Sequence, residues 1–431
     1  MVIQKNVKLA ILCTHPIQYY APWFRFLAKG QKPEDGIWDM GYRGHQIRKF
    51  EFEVFYAHKQ TGKGQAEAGF GVEFEWDIPL LEGYPYRFLE NVSSRQGLDW
   101  FGGCDCPEVG KILKEGKFTH LLCIGWHKKV FWQAIWAAKR LGIRTLSRGD
   151  SQLGMQGFGP KMLIKELTHR VLVRAFGALL YVGRRNFEYL RHYGVPDKRL
   201  FFSPHFVDNE WWAANAGRSR KGYGISDMGY RNPSISNIQD PRSKKRDTVF
   251  LFAGKFIPKK RVSDLLEAAA RVPEARVVLV GDGPLKERLE ARANQPDLKG
   301  RVEFAGFKNQ KELPAYLAEA DCLVLPSDGT ETWGLIVNEA MACGLPAIVS
   351  DACGCSPDLI EEGKTGYSYS LGDVDALVDR MLLFLGKKNQ DWSVDTRAKV
   401  NAYRMAKASE GLMIAMGKTF RDVKSEEPRS R

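Results

Sequence analysis

The sequence predicts an α/β fold of two doubly wound, Rossmann-like domains. Three observations carry that reading. Strand-length apolar runs alternate with helical patterns through most of the chain, and most of those runs leave into glycine-rich or polar loops. The chain's 431 residues also exceed what a single hydrophobic core usually holds.

In the first domain, residues 1–208, an apolar run at 7–13 has strand length. Thr14, His15, Pro16, Ile17 and Gln18 lead from it into an aromatic-rich helix ending near Gly30. Ligands of doubly wound sheets collect beyond the carboxyl ends of the strands, so His15 and Gln18 are candidate acceptor or cleft residues. Residues 50–56 alternate as a strand. The acidic, aromatic stretch 70–84 suits a surface on which a sugar ring stacks, although such rings more often pack a core. Residues 121–124 form the next strand, left through Gly125, Trp126 and His127, so a second histidine stands at a strand exit. A helix over 131–141 and a strand over 144–147 follow, with Asp150 in the exit loop. Tyr181 introduces a helix to Tyr193, and residues 199–203 run into Pro204, His205 and the boundary at Asp208.

Two stretches, 31–49 and 217–246, each carry the pentapeptide Asp-Met-Gly-Tyr-Arg, at 39–43 and 227–231. Two copies are too few for a stacked repeat array. The second stretch is polar and holds eight Lys or Arg, so both read as surface insertions.

The second domain, 209–431, opens with a strand over 248–252, a loop carrying Gly254, Lys255 and Lys260, and a helix over 263–270. A strand over 277–280 ends in Gly281-Asp282-Gly283-Pro284, and one over 302–307 ends on Phe307. Residues 321–357 then make a complete βαβ unit. The run 322–325 suits a strand buried on both faces, a helix covers 334–343, Gly344 sits where a helix end favours a left-handed residue, and 347–349 is the next strand. The free amides at the helix start, around Gly334 and Leu335, suit a phosphate. Glu331 and Glu339 flank that start; in a continuous helix they would lie about 12 Å apart, a span that grips two ends of one extended ligand. Taken alone, Glu331 would complement the helix dipole and Glu339 would be a solvated helix residue. A helix over 400–416 closes the chain.

The run Glu331-Thr-Trp-Gly-Leu-Ile-Val-Asn-Glu339, followed by Ala-Met-Ala-Cys-Gly-Leu-Pro, resembles the E-x7-E signature of retaining glycosyltransferase family 4. Gly254-Lys255 with Lys260 resembles that family's basic pair, with Lys255 where Arg is usual: the charge stays and the bidentate geometry goes. Two departures are the Thr14–Gln18 loop in place of a glycine-rich one and His205-Phe206 in place of Asn-Gly. The resemblance implies the GT-B fold, with the two domains facing each other across a cleft and the last helix returning to the first. It implies a hexosyltransferase-type enzyme that retains the anomeric configuration without metal or cofactor. Glu331 then serves the donor sugar, Glu339 the ribose, and Gly334 and Leu335 the diphosphate, which Lys255 and Lys260 bracket. Gly281 and Phe307 belong to the donor side, Phe307 near the base, and His127 positions the donor sugar.

The composition, 44% hydrophobic and 27% charged, is that of a soluble globular protein. The run 9–13 is too short for a signal peptide and no stretch has membrane-spanning length, so a cytoplasmic protein is expected. The eight cysteines include two C-x-C pairs, Cys104/Cys106 and Cys353/Cys355, without zinc-site spacing, and read as thiols of a reducing compartment. The one Asp-x-Asp match, Asp373-Val-Asp375, sits in a late polar segment. The expected partners are a nucleotide-sugar donor and a saccharide or lipid-linked acceptor, in bacterial-type polysaccharide or glycoconjugate synthesis. A net charge of +13 also suits peripheral contact with an anionic membrane. Nucleic acid is not expected, because the key lysines fall at strand exits and are not interleaved with aromatics on one face. The rival readings are a nucleotide-sugar epimerase or phosphorylase on the same fold, and a non-catalytic polyanion-binding protein.

Overall fold

The computed structural model describes residues 7–30, 50–59, 72–154, 160–220 and 247–422. Both pentapeptide copies lie outside them. The chain forms two compact units: Met1–Gln60 with Pro79–His205 and Met405–Arg431, and Thr61–Ile78 with Phe206–Arg404.

In the first unit the described strands are β1 (Lys8–Cys13), β2 (Glu51–Tyr56), β3 (Tyr86–Phe88), β4 (His120–Ile124), β5 (Arg144–Gly149), β6 (Ala178–Tyr181) and β7 (Leu200–Phe202). They pair in parallel in the order β3-β2-β1-β4-β5-β6-β7. In the second unit β8 (Thr248–Ala253), β9 (Ala275–Val280), β10 (Val302–Gly306), β11 (Cys322–Leu325), β12 (Ala347–Ser350) and β13 (Gly366–Tyr369) take the order β10-β9-β8-β11-β12-β13. Strands such as β8, Thr-Val-Phe-Leu-Phe-Ala and buried throughout, carry no alternation because helices cover both faces of a parallel sheet. In each sheet the winding reverses beside the first strand. The exits of β1 and β4, and of β8 and β11, therefore diverge around a crevice, which is where such sheets bind ligands.

The helix Met405–Asp422 belongs to the first unit. An ideal Cβ on Gly411 would stand 1.9 Å from the Phe202 carbonyl, so glycine is what lets this helix lie against β7. Trp23 Nε1 donates to Ser409 Oγ at 2.9 Å and closes the other side.

The structure departs from expectation in several places. The tail is not one helix over 400–416 but two, Ser393–Asn401 and Met405–Asp422. The break carries Tyr403, whose hydroxyl donates to Asp358 Oδ1 at 3.0 Å and whose ring packs on Trp333, so that corner is tied to the second unit. The short strands β3, β6 and β13 and the helices Pro160–Leu172 and Val374–Gly386 have no counterpart among the sequence expectations. Asp373 caps the latter helix by accepting from the Ala376 amide at 2.9 Å, and Asp375 pairs with Arg271, which gives both acids of the Asp-x-Asp match a structural task. Residues 72–78 fold with the second unit, not the first: Asn309 Nδ2 donates to the Glu75 carbonyl at 2.7 Å, the Lys311 amide to Asp77 Oδ2 at 2.9 Å, and Phe74 packs on Phe307.

Candidate active site

Strand β8 delivers its chain to the crevice through Gly254, whose amide donates to the Val280 carbonyl and extends the pairing with β9 by one bond. Phe256 is fully buried against Phe252 and Phe304 and anchors the loop from beneath. Its amide donates to the Asp282 carbonyl at 2.8 Å, which binds this loop to the glycine turn after β9. A short turn, Pro258–Lys260, then sets Lys259 and Lys260 on the rim.

The loop after β11 meets them from the other side. The Asp328 amide donates to the Lys259 carbonyl at 2.8 Å, and Asp328 Oδ1 accepts from the amide and hydroxyl of Thr330. Glu331 Oε2 then lies 2.5 Å from Lys260 Nζ and 3.9 Å from Lys259 Nζ, with the Lys260 and Glu331 side chains largely buried. Lys255, Lys259 and Lys260 thus bring three ammonium groups together, with Glu331 paired to the last two and interacting electrostatically with the first. Burial, with repulsion from Lys259 and Lys260, lowers the Lys255 pKa to about 8, and Glu331 only partly opposes this. The group is a cluster of cations at the carboxyl end of β8.

Gly334, in the left-handed region at φ 100°, caps the helix Leu335–Ala342. Glu331 and Glu339 therefore do not share a helix. Glu331 sits in the loop, its carbonyl accepting from the Gly354 amide, while Glu339 is buried at 4% exposure within the helix, not solvated. Trp333 Nε1 donates to the buried Asn338 Oδ1 at 2.8 Å and fixes the helix start. On the far side of β8 the Gly281 amide donates to the Gly306 carbonyl, which places Phe307 next to the glycine turn, its ring tilted at 37° against Phe74 with 4.3 Å between ring centroids. The second unit therefore unites Lys255, Lys260, Glu331, Gly334, Leu335, Gly281 and Phe307 along the carboxyl edge of its sheet. Lys259 and Phe74 join them, and neither stands out in the sequence.

In the first unit His15, His127 and Asp150 follow β1, β4 and β5, and Gln18 is half-buried in the loop after β1. His15 Nδ1 is 2.9 Å from Thr14 Oγ1. Burial first, then His58 and His127, lowers the His15 pKa to about 4, so its imidazole is neutral at ordinary pH. Burial and Lys128 likewise lower His127, opposed by Asp150. His58, just beyond β2, adds a third imidazole to His15 and His127 and is the one that sequence reasoning misses; its only signal is a position past a strand end. Asp150 Oδ2 lies 3.6 Å from His205 Nε2. Sequence reasoning also misses Arg148 as a buried cation: Nη1 donates to Tyr20 Oη at 2.8 Å and Nη2 to the Pro204 carbonyl at 2.7 Å, which ties β5 to both neighbouring loops. The described cysteines are buried and unbridged.

Two parallel, doubly wound units are the architecture of the GT-B class of fold. The model of the family of glycosyl transferases group 1 matches residues 234–404 of the chain. The chain is 26% identical over 219 residues to N-acetyl-alpha-D-glucosaminyl L-malate synthase of Bacillus anthracis, covering 50% of this chain and 52% of that protein. It is 28% identical over 310 residues to the putative colanic acid biosynthesis glycosyltransferase WcaL of Escherichia coli strain K12, covering 64% and 74%. The chain spans about half, or less, of the length of the first such relatives. Among solved structures, Anabaena Alr3699/HepE in complex with UDP and glucose shares the fold at TM-score 0.59 and 15% identity, covering 98% of this chain and 100% of that one.

Proposed function

We propose that this chain is a retaining, metal-independent hexosyltransferase that moves a sugar from a nucleotide-sugar donor to an acceptor hydroxyl in polysaccharide or glycoconjugate synthesis. The single observation that carries the reading is the cation cluster at the exits of β8 and β11, where three lysines meet Glu331 beside a helix N-terminus. A departing diphosphate brings negative charge to these cations. Lys255, Lys260 and the amides of Gly334 and Leu335 stabilise that charge as it develops, which is electrostatic work. Glu331 meets the donor sugar's hydroxyls, Glu339 the ribose, and Phe307 the base. The departing phosphate takes the acceptor's proton on the same face, and His127 positions the donor sugar. His15, Gln18 and Asp150 serve the acceptor side, with His15 neutral and so acting by hydrogen bond. The relatives' names and the Anabaena protein bound to UDP and glucose favour a nucleotide-sugar donor, and the acceptor in this reading is a saccharide or a lipid-linked one. A cytoplasmic, membrane-peripheral setting fits that acceptor, and no helix among the described residues is long and apolar enough to cross a membrane.

The experiment that tests the assignment separates the two acids by calorimetry with free nucleoside diphosphates. Glu339→Gln is expected to weaken binding roughly ten-fold or more, the scale of one lost charged hydrogen bond. Glu331→Gln is expected to spare that affinity and to damage transfer. Equal losses of affinity in both variants reject the division of roles.

A pH effect follows from Lys255. Its pKa is depressed below the ordinary lysine value, so the cost of keeping it charged is fully present below about pH 8 and is relieved as pH rises above that. A bound diphosphate adds negative charge beside it and raises the pKa again. Binding at about pH 8.5 should therefore take up protons, read from calorimetry in buffers of different ionisation enthalpy, and binding near pH 6 should not. Undiminished uptake in Lys255→Arg would remove Lys255 from the diphosphate.

A further inference from the structure

The helix Lys129–Arg140 buries Val130, Phe131, Ala134, Ile135 and Ala138 on one face. Its other face is not polar in the ordinary way. Trp132 and Trp136, one helical turn apart and so side by side, are 37% and 59% exposed. The Arg140 guanidinium lies 3.4 Å from the centroid of the Trp136 ring, extending the stripe by another turn. Beside it, the loop residues Trp100 and Phe101 are also exposed, and the Lys128 ammonium donates to the Trp100 carbonyl at 2.9 Å, fastening that loop to the start of the helix.

The charge around this stripe is mainly positive, although the adjoining loop carries Glu108 and Asp99, the latter paired with Arg95. Residues 109–144 hold eight Lys or Arg and a single acid, Glu115. The adjacent helix Val109–Glu115 packs so closely that a Cβ on Gly110 would touch Ala137 at 3.1 Å, and it brings exposed Lys111 and Lys114 alongside. Lys129 is neutralised by Asp105 at 2.6 Å, whereas Lys139 and Arg140 stand exposed at the helix end.

We propose that this face is a membrane-docking surface for anionic lipid, with Trp136 and Trp132 seated among the headgroups and the basic residues against their phosphates. An indole has an apolar body and a polar edge, which suits the water–lipid boundary, and a stacked Arg keeps its charge at headgroup level. A helix of this kind lies in the plane of the interface. A second copy of the chain fits less well, since a two-fold interface would press the basic stripe against itself. The inference rests on the lipid-linked acceptor of the proposed function only for its purpose. Vesicle binding is read without donor or acceptor, so its failure leaves the transferase reading untouched.

The test is co-sedimentation of the full chain with vesicles of phosphatidylcholine alone and of phosphatidylcholine with about 30% phosphatidylglycerol, at low and high salt. The wild type is expected to bind the anionic vesicles preferentially. Trp136→Ser should lower that binding several-fold at both salt concentrations, while Trp136→Phe keeps most of it. Lys139→Glu with Arg140→Glu should lower it about ten-fold or more at low salt. Unchanged melting temperatures guard against misfolding. The proposal is overturned if the wild type ignores anionic vesicles or if Trp136→Ser binds like the wild type. It is equally overturned if sedimentation velocity shows a wild-type dimer that Trp136→Ser abolishes, since the face would then be a self-interface.

Discussion

Lys260→Ala is expected to lower turnover of the nucleotide-sugar donor about 100- to 1,000-fold, the range found when one preorganised charge or donor is removed from a developing anion. The effect is large because Lys260 is held deep in the clamp: its side chain is 13% exposed and 2.5 Å from Glu331. Enclosure keeps water from screening it, and the ion pair already holds it in place before substrate arrives. Removing it also takes from Glu331 its 2.5 Å ion-pair partner while Lys259 stands 3.9 Å away, so the acid proposed to meet the donor sugar loses a positioning contact. Lys260→Arg should recover part of the activity, since charge is kept while point-like geometry is lost. A folded Lys260→Ala enzyme with near-normal turnover removes the residue from the chemistry.

Gly281→Ala is expected to be among the most damaging small substitutions in the second unit. A Cβ there would stand 1.9 Å from the Gly254 carbonyl, and the backbone φ is +145°, a conformation that side chains rarely adopt. Neither strand can yield easily, because β8 and β9 are in register over six residue pairs and Gly254 is itself bonded to Val280. Steric overlap and backbone strain together give a loss of roughly 3–5 kcal/mol, read as a fall in the urea midpoint. Nucleoside diphosphate affinity should fall with it, since the same contact shapes the floor under Lys255. Gly386→Ala is the control: nothing lies within 4 Å of where its Cβ would stand, and its midpoint should barely move. Equal midpoints for the two variants contradict the close approach.

What is legible in the sequence is local. Strand, loop and helix between 321 and 357 follow one another without interruption, so apolar runs and punctuation suffice to place β11, the helix from Leu335 and β12. Lys255, Lys260, Glu331 and Glu339 are recognisable because each motif is contiguous. Their arrangement is not, since the Lys260–Glu331 pair joins loops that only the parallel pairing of β8 and β11 brings together. Arg148 looks like an exit-loop residue until Tyr20 and Pro204 close over it from distant parts of the chain. The stretch 72–78 gives no sign of leaving its own unit, because its anchors are a backbone carbonyl, an acid and one ring, none of which forms a pattern. The tail reads as one helix because the apolar period continues across the corner at Tyr403.

The most direct test of nucleotide-sugar transfer is to incubate the wild-type chain with a panel of nucleotide sugars and saccharide or lipid-linked acceptors. Nucleoside diphosphate release and the anomeric configuration of any product are then followed by proton NMR. At least one donor should be consumed, with the sugar's configuration kept in the product. A product of inverted configuration, or a folded protein that neither binds nor consumes any donor of the panel, would contradict the account.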